Sequence, residues 1–238
     1  MGFSLISVII PTLNEEAILG VALESLKKQS FQNYEVVIAD GGSTDRTMEI
    51  AEEYGCRFLK VPKTRPHDVS TAKNMGSKYA YGDALFFLDA DMSLDPNAFE
   101  VIDEEYDDPN VVGVALKVLP SESKGLEVLL YNFNNVMAKI GNATGIHELS
   151  YFSCHTYRTE SFMEVGGFRT DLLACEDHDL SLRLRYLGKY IVSHKSTLWT
   201  SPRRLREWSN TGYMLKYLKY LRDYYLTDKV NEYYDDLT

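Results

Sequence analysis

Apolar residues in the first half of the chain gather in short runs, separated by polar segments in which apolar positions return every three or four residues. Leu5–Ile10, Tyr34–Ala39, Arg57–Val61, Leu85–Leu88 and Val111–Leu119 are too short for typical helices and rich in β-branched or aromatic residues, so they predict strands. Between the first two, Ile18, Ala22 and Leu26 recur every four residues behind Asn14, a good N-cap type. A second helix is expected from about Asp45, capped by Ser43 or Thr44 and stopped by Gly55. A third spans Ser70–Tyr79, and Pro96 suits the first turn of a fourth. Runs without polar alternation, such as Leu85–Leu88, belong to strands covered on both faces. The βαβα order therefore predicts an α/β fold, a Rossmann-like, mostly parallel sheet with helices on both faces.

The second half is less regular. Gly125–Lys139 reads as helix, Asn142–Gly145 as a loop, and Ser150–Tyr157 as a strand. A short helix follows from Glu160 to Val165, then a Gly166-Gly167-Phe168 turn and a helix over Asp177–Leu187. Lys189–Val192 and Thr197–Trp199 predict two short strands, and from Leu205 onward the pattern is helical. The expected organisation is one domain, 1–204, with a helical extension, 205–238.

Composition narrows the class. With 45% hydrophobic residues in 238 the chain can bury a sizeable core, and a formal charge of -10 argues against a general nucleic-acid binder. Cys56, Cys154 and Cys175 show no C-x-x-C spacing, so neither a disulfide framework nor a zinc site is indicated. No run of 18 or more apolar residues exists and no removable leader is legible, so a cytoplasmic location is expected.

Candidate chemistry sits where strands end. Leu85–Leu88 stops abruptly at Asp89-Ala90-Asp91, and ligands of open α/β sheets bind beyond the carboxyl ends of the strands. Two hard oxygen ligands there suit Mg²⁺ or Mn²⁺, which complete their shell with substrate phosphates and water. Three more polar groups fall at comparable places: Pro11-Thr12-Leu13-Asn14-Glu15-Glu16, Asp40-Gly41-Gly42-Ser43-Thr44-Asp45, and Glu176-Asp177 at a helix start. Lys73-Asn74 adds a cation and an amide. Each alone could be ordinary capping or turn chemistry. Their coincidence on one sheet edge is harder to explain that way.

Together these segments, with Gly166-Gly167-Phe168, resemble the inverting glycosyltransferases of family 2, in the family's order and over roughly residues 5 to 180. That resemblance implies a GT-A fold and a nucleotide-diphosphate sugar donor, UDP- or GDP-linked. It implies that Pro11, Thr12, Leu13, Asn14 and Glu15 line the nucleotide pocket, that Asp40 bonds the base, and that Lys73 lies near the nucleotide or its phosphates. Asp89, Ala90 and Asp91 match the D-x-D element that holds ribose, metal and diphosphate, and Asp177 matches the catalytic base. Ser201-Pro202-Arg203-Arg204 resembles a segment that closes over the diphosphate in some members. Glu176, His178 and Gly167 are candidate acceptor contacts. Glu176 could equally favour a helix N-terminus, His178 could be a packed histidine, and Gly167 could belong to a helix C-cap turn. Acceptors would be a glycan, a polyprenyl phosphate or another hydroxyl.

The residue types suit such a transfer independently: a divalent ion on the aspartates would stabilise charge on the leaving diphosphate, and a carboxylate would take the acceptor's proton. The alternatives are a sugar-nucleotide nucleotidylyltransferase, which should carry a Gly-rich loop where this chain has Pro-Thr-Leu-Asn, and a binding protein that has lost catalysis. A dinucleotide oxidoreductase would need G-x-G-x-x-G after the first strand, and a P-loop enzyme its G-K-[ST]; neither is present. In the extension, Arg203, Arg204, Arg206, Lys216, Lys219 and Arg222 interleave with leucines, which fits either a helix packed on the domain or one at the face of a membrane.

Overall fold

A computed structural model describes residues 3–62, 68–122, 125–144, 155–203, 206 and 210–230. In chain order the elements are β1 (Ile6–Thr12), α1 (Leu19–Lys27), β2 (Tyr34–Asp40), α2 (Thr47–Glu53), β3 (Arg57–Lys60), α3 (Val69–Tyr79), β4 (Ala84–Phe87) and β5 (Met92–Leu94). They continue as α4 (Ala98–Glu105), β6 (Val111–Pro120), α5 (Leu126–Thr144), β7 (His155–Arg158), α6 (Thr159–Glu164), α7 (Glu176–Leu184), β8 (Lys189–Thr200) and α8 (Asn210–Thr227).

The strands form one sheet in the order β3-β2-β1-β4-β7-β6-β8-β5. Pairs β1–β2, β1–β4, β2–β3 and β6–β8 are parallel, whereas β7 runs antiparallel to both neighbours and β5 runs antiparallel to β8. The sheet is therefore mixed rather than simply parallel. The parallel half, β3-β2-β1-β4, is where the chain reads strand-helix-strand; β7 enters through the less regular second half.

β4 shows why its run is unbroken. Phe86 and Leu88 join a core with Val8, Ile10, Leu23, Phe99 and Ile102 beneath α1 and α4. Leu85 and Phe87 point the other way, among Ile9, Tyr157, Phe162, Phe168 and Leu180 beneath α6 and α7. Both sets are essentially inaccessible, so every second residue has its own core and no polar position is tolerated. α3 lies close enough that Gly76 faces Ile9; a Cβ there would stand 2.5 Å from Ile9 Cγ2.

Several local expectations are corrected. Asn14 does not cap α1: it takes a positive φ of 56°, α1 starts five residues later, and Ile18 holds the N-cap position without a side-chain bond. Ser43 and Thr44 do not cap α2, whose entry is tied by Asp45 Oδ1 accepting from Thr47 N at 3.0 Å. Residues 142–144 continue α5 instead of forming a loop, and α7 ends at Leu184. The two short strands after Lys189 are one, β8, with a register shift opposite Leu116 and Lys117 that let it read as two. β5, three residues immediately after Asp91, is too short to carry a period. Residues 150–154 of the expected strand, including Cys154, lie outside the described residues. So do Arg204, Leu205 and 231–238 of the extension.

Candidate active site

Parallel pairing brings the carboxyl ends of β1, β2 and β4 to one edge. Thr12 stands opposite Asp40, and Leu88 N donates to Ile9 O at 3.0 Å, which sets Asp89 beyond the strand end beside Pro11. The antiparallel β5–β8 pair closes the far side: Met92 faces Thr200, and Ser201 N donates to Asp91 O at 3.3 Å. The segment carrying Arg203 is thereby held beside Asp91.

The first two loops are locked to each other. Gly41 N donates to Thr12 O at 2.8 Å, Asn14 N to Ser43 Oγ at 2.9 Å, and Thr44 N to Asn14 Oδ1 at 2.9 Å. Glu15 N donates to Thr47 Oγ1 at 2.7 Å and Glu16 N to Asp45 Oδ2 at 3.1 Å. Asp40 is buried, and its carboxylate accepts from Gly42 N at 2.9 Å, Ser43 N at 3.0 Å, Ser43 Oγ at 2.5 Å and Thr12 Oγ1 at 3.3 Å. Much of what read as ligand-contacting polarity thus organises the backbone. Asn14 spends its side chain on the second loop, and the strained φ it adopts is one that Asn tolerates better than most residues.

Glu15 reports the field in this cleft. Its carboxyl is held above the ordinary range by burial, with Asp91, Asp89 and Asp45 adding repulsion and Arg203 opposing it. Glu15, Asp89, Asp91 and Arg203 therefore converge. Among the described residues no group of three or more His, Cys, Asp or Glu has an arrangement that could hold a metal by itself. Two carboxylates would leave most of a divalent ion's shell to other ligands, such as a diphosphate and water.

The second centre is a buried ion cluster. Lys73, on α3, is 1% exposed, and its Nζ lies 3.0 Å from Asp177 Oδ1 and 3.2 Å from Glu176 Oε1. The expected place of this lysine was near the nucleotide; its ammonium is directed at the acidic pair. α7 begins at Glu176, so the helix N-terminus favours the negative charge of both carboxylates. Burial pushes the Asp177 carboxyl well above its usual range; Lys73 opposes that, while Glu176 and Asp89 reinforce it. Burial also acts to raise Glu176, but Lys73 and hydrogen bonds outweigh it and hold that carboxyl below its usual range. Lys73 is itself held protonated: desolvation works against its charge, but Asp177, Glu176 and Asp89 more than offset it. The charge of Asp89 is felt both at Glu15 and at the Lys73 cluster.

Other candidate residues have mainly architectural surroundings. Gly166 and Gly167 take φ of 79° and 71° after α6, a helix-terminating turn. Asn74 clamps that turn, with Nδ2 donating to Phe168 O at 2.8 Å and Oδ1 accepting from Phe168 N at 2.9 Å. The clamp seats the Phe168 ring 5.0 Å from Lys73 Nζ. His178 is buried and turned toward α8, with Nε2 2.8 Å from Tyr225 OH. Tyr224 OH donates to Asp179 Oδ1 at 2.9 Å, so α8 grips the helix that carries Asp177. Neither tyrosine was singled out by the sequence pattern, because a tyrosine-rich helix gives no sign of which face it buries.

An α/β sheet whose strand ends gather acidic loops, with a buried lysine–carboxylate cluster at the start of α7, marks this edge as the candidate site. The chain belongs to glycosyl transferase family 2, whose model matches residues 7–166. It is 28% identical over 232 residues to a PGL/p-HBAD biosynthesis glycosyltransferase of Mycobacterium bovis, covering 93% of this chain and 85% of the relative. It is 26% identical over 243 residues to an uncharacterized glycosyltransferase of Haemophilus influenzae, covering 93% and 77%. Among solved structures it is similar to S. aureus TarS 1–349 in complex with UDP-GlcNAc, with TM-score 0.65 and 20% identity. It is also similar to the mannosyltransferase PcManGT from Pyrobaculum calidifontis in complex with GDP-Man and Mn²⁺, with TM-score 0.64 and 20% identity. These cover 82% and 90% of this chain but 58% and 64% of those chains, and at such identity they establish the fold. The family carries a nucleotide-sugar-dependent transferase activity, which sets the nucleotidylyltransferase alternative aside.

Proposed function

We propose that the protein transfers a sugar from a UDP- or GDP-linked donor to an acceptor hydroxyl with inversion, using Asp177 as base. The supporting observation is the buried Lys73–Glu176–Asp177 cluster, which lies within the electrostatic reach of Asp89 at the end of β4. In this reading the acceptor oxygen attacks the anomeric carbon, the bond from that carbon to the diphosphate oxygen breaks, and its electron pair leaves with the diphosphate. Asp177 receives the acceptor's proton. Burial, Glu176 and Asp89 raise its affinity for protons, which favours the proton's arrival there. Glu176 stays anionic beside it and keeps Lys73 in place, so the cluster retains one negative partner when Asp177 becomes neutral.

Pro11, Thr12, Leu13, Asn14, Glu15 and Asp40 form the nucleotide wall, with Asp89, Ala90 and Asp91 below the ribose and diphosphate. Mn²⁺ or Mg²⁺ would be held by Asp89 and Asp91 and would act as a Lewis acid on the leaving group. Arg203 supplies a cation at the same end, opposite Glu15. A dedicated base favours a hydroxyl acceptor over a polyprenyl phosphate, since a phosphate is already anionic at neutral pH and needs no deprotonation. Residues 1–204 would form the transferase domain and 205–238 its extension.

Donor binding and transfer separate the roles. Asp177→Asn should keep the thermal stabilisation produced by UDP- or GDP-sugar with Mn²⁺ and lose transfer, because mass action reports binding alone. Transfer at the wild-type rate by Asp177→Asn would overturn the base assignment.

A further inference from the structure

The turn Gly166-Gly167-Phe168 is gripped from two sides. Asn74 of α3 bonds both the N–H and the carbonyl of Phe168. From α7, Arg183 Nη1 donates to Val165 O and Nη2 to Gly167 O, each at 2.7 Å. The turn has no slack against α3, since a Cβ on Gly167 would stand 2.6 Å from Asn74 Oδ1. Asn74 adjoins Lys73 in the sequence, and Arg183 belongs to the helix that opens with Glu176 and Asp177. The turn is thus a spacer between the two halves of the buried ion cluster.

Asp179, 2% exposed, fixes Arg183 in its place. Arg183 Nε donates to Asp179 Oδ2 at 2.7 Å. Asp179 Oδ1 accepts from Tyr224 OH of α8 at 2.9 Å and lies 3.5 Å from Arg169 Nη1. A planar guanidinium can serve a carboxylate and two carbonyls at once, whereas a lysine ammonium is a point charge on a flexible stem. The start of α7 also runs against local preference. Cys175, directly before the acidic pair, takes a φ of 64°, a left-handed backbone that is costly for a residue with a Cβ. Such a conformation persists only where its surroundings over-determine it.

We propose that Arg183 and Asp179 are positioning residues that act through the turn to set the distance between Lys73 and Asp177. The catalytic consequence rests on the reading of Asp177 as base; the distance itself does not. Asp177 is faced by Lys73 from α3, by Glu176 on its own helix and by Asp89 beyond β4, with Tyr157 of β7 near enough to feel its charge. Of these Lys73 alone is a cation. Lengthening that pair by about 1 Å therefore raises the proton affinity of Asp177 by roughly one pH unit, at the effective dielectric of a protein.

Arg183→Lys keeps a charge beside Asp179 and gives up the paired carbonyl bonds. Its kcat should fall about tenfold to a hundredfold, the range for a displacement of about 1 Å. Donor KM and thermal stabilisation by donor with Mn²⁺ should stay at wild-type values, and the acid limb of kcat/KM should move upward by roughly one unit. In a Lys73→Met background the same substitution should move the limb no further, because the altered distance no longer carries a cation. Carbon-13 carboxyl NMR titration of the acidic pair, assigned with Asp177→Asn, should show the same upward displacement without donor or acceptor. That measurement separates the two readings: displacement together with full transfer by Asp177→Asn supports the spacer and overturns the base. A folded Arg183→Lys protein whose carboxyl titration matches wild type overturns the spacer, as does an equal shift of the limb in both backgrounds. Should Arg183→Lys fail to fold, Tyr224→Phe, which frees one oxygen of Asp179, should give a smaller displacement of the same sign; none would overturn the proposal.

Discussion

Replacing Lys73 by Met removes the cation that lies within hydrogen-bond reach of both Glu176 and Asp177 and keeps the length of the stem. Two carboxylates then remain under α3 without that compensating charge, and leaving a buried charge unpaired typically costs about 3–5 kcal/mol. Both ion pairs are close, 3.0 Å to Asp177 and 3.2 Å to Glu176, and the lysine is 1% exposed, so solvent does little to screen them. The functional consequence has a definite sign. Lys73 lowers the proton affinity of Asp177 against burial, Glu176 and Asp89, which all raise it. Without the lysine, Asp177 protonates more readily, and a protonated base cannot accept the acceptor's proton. The acid limb of kcat/KM should therefore move upward by about 1–3 pH units, the usual effect of a close opposite charge on a carboxyl. Because the acidic pair titrates together, that limb belongs to the pair rather than to one residue. The assay is transfer between pH 5.5 and 9.5 (spanning roughly the range in which such bases titrate) with urea unfolding alongside. Lys73→Arg keeps the charge and should leave the limb close to wild type even if crowding lowers the rate. A folded Lys73→Met protein whose acid limb coincides with that of wild type would refute this account of the base.

Four further outcomes rest on particular side chains. Asp91→Ala should abolish the Mn²⁺-dependent part of donor stabilisation in a thermal shift assay, whereas Asp177→Asn preserves it. Gly76→Ala should cost about 1–3 kcal/mol in urea unfolding, since its Cβ would fall 2.5 Å from Ile9 Cγ2 in a packed core; wild-type stability would contradict the described helix–strand distance. Asn74→Ala should destabilise the fold by about 2 kcal/mol in the same measurement, because two hydrogen bonds to Phe168 vanish together. Tyr225→Phe should lower stability by about 1 kcal/mol and leave transfer intact; the reverse pattern would make His178 an acceptor contact.

The parallel half of the fold was legible because each strand answers to one physical demand. Ile6–Ile10 and Ala84–Leu88 must satisfy a core on both faces, so nearly every position is apolar and the run stands out from its neighbours. The antiparallel strands escaped that reading for different reasons. β5 is three residues long, shorter than any period can register, and it is stabilised by pairing with Leu198–Thr200, more than a hundred residues away. β8 looked like two strands because its register shifts opposite Leu116 and Lys117. The long helix α5 was legible over Gly125–Lys139 but runs on to Thr144, and its spacing did not say which face is buried: Asn135 turns to β6, while Leu126 and Leu129 face outward. Amphipathic spacing identifies a helix without saying what covers the stripe.

The site shows the same division between type and role. Carboxylates at strand ends and a lysine on α3 signal chemistry because charge is costly to bury without a reason, and that much is visible in residue identity alone. What residue identity leaves open is which charge faces which. Lys73 is separated from Asp177 by 104 positions, and only the approach of α3 to the start of α7 brings them to 3.0 Å. Asn14, Ser43, Asp45 and Thr47 carry the opposite lesson: their polarity is consumed in joining two loops, so that Glu15 and Asp91 can be held close without collapsing the cleft. A rigid frame of hydrogen-bonded loops around several carboxylates has a physical consequence. Burial is the main reason Glu15 is raised, and a cation held by Asp89 and Asp91 would relieve the part those two carboxylates add, so its occupancy should stabilise the fold. Two carboxylates supply few of the ion's ligands, so thermal stabilisation by Mn²⁺ alone should be small and should grow when a diphosphate completes the shell.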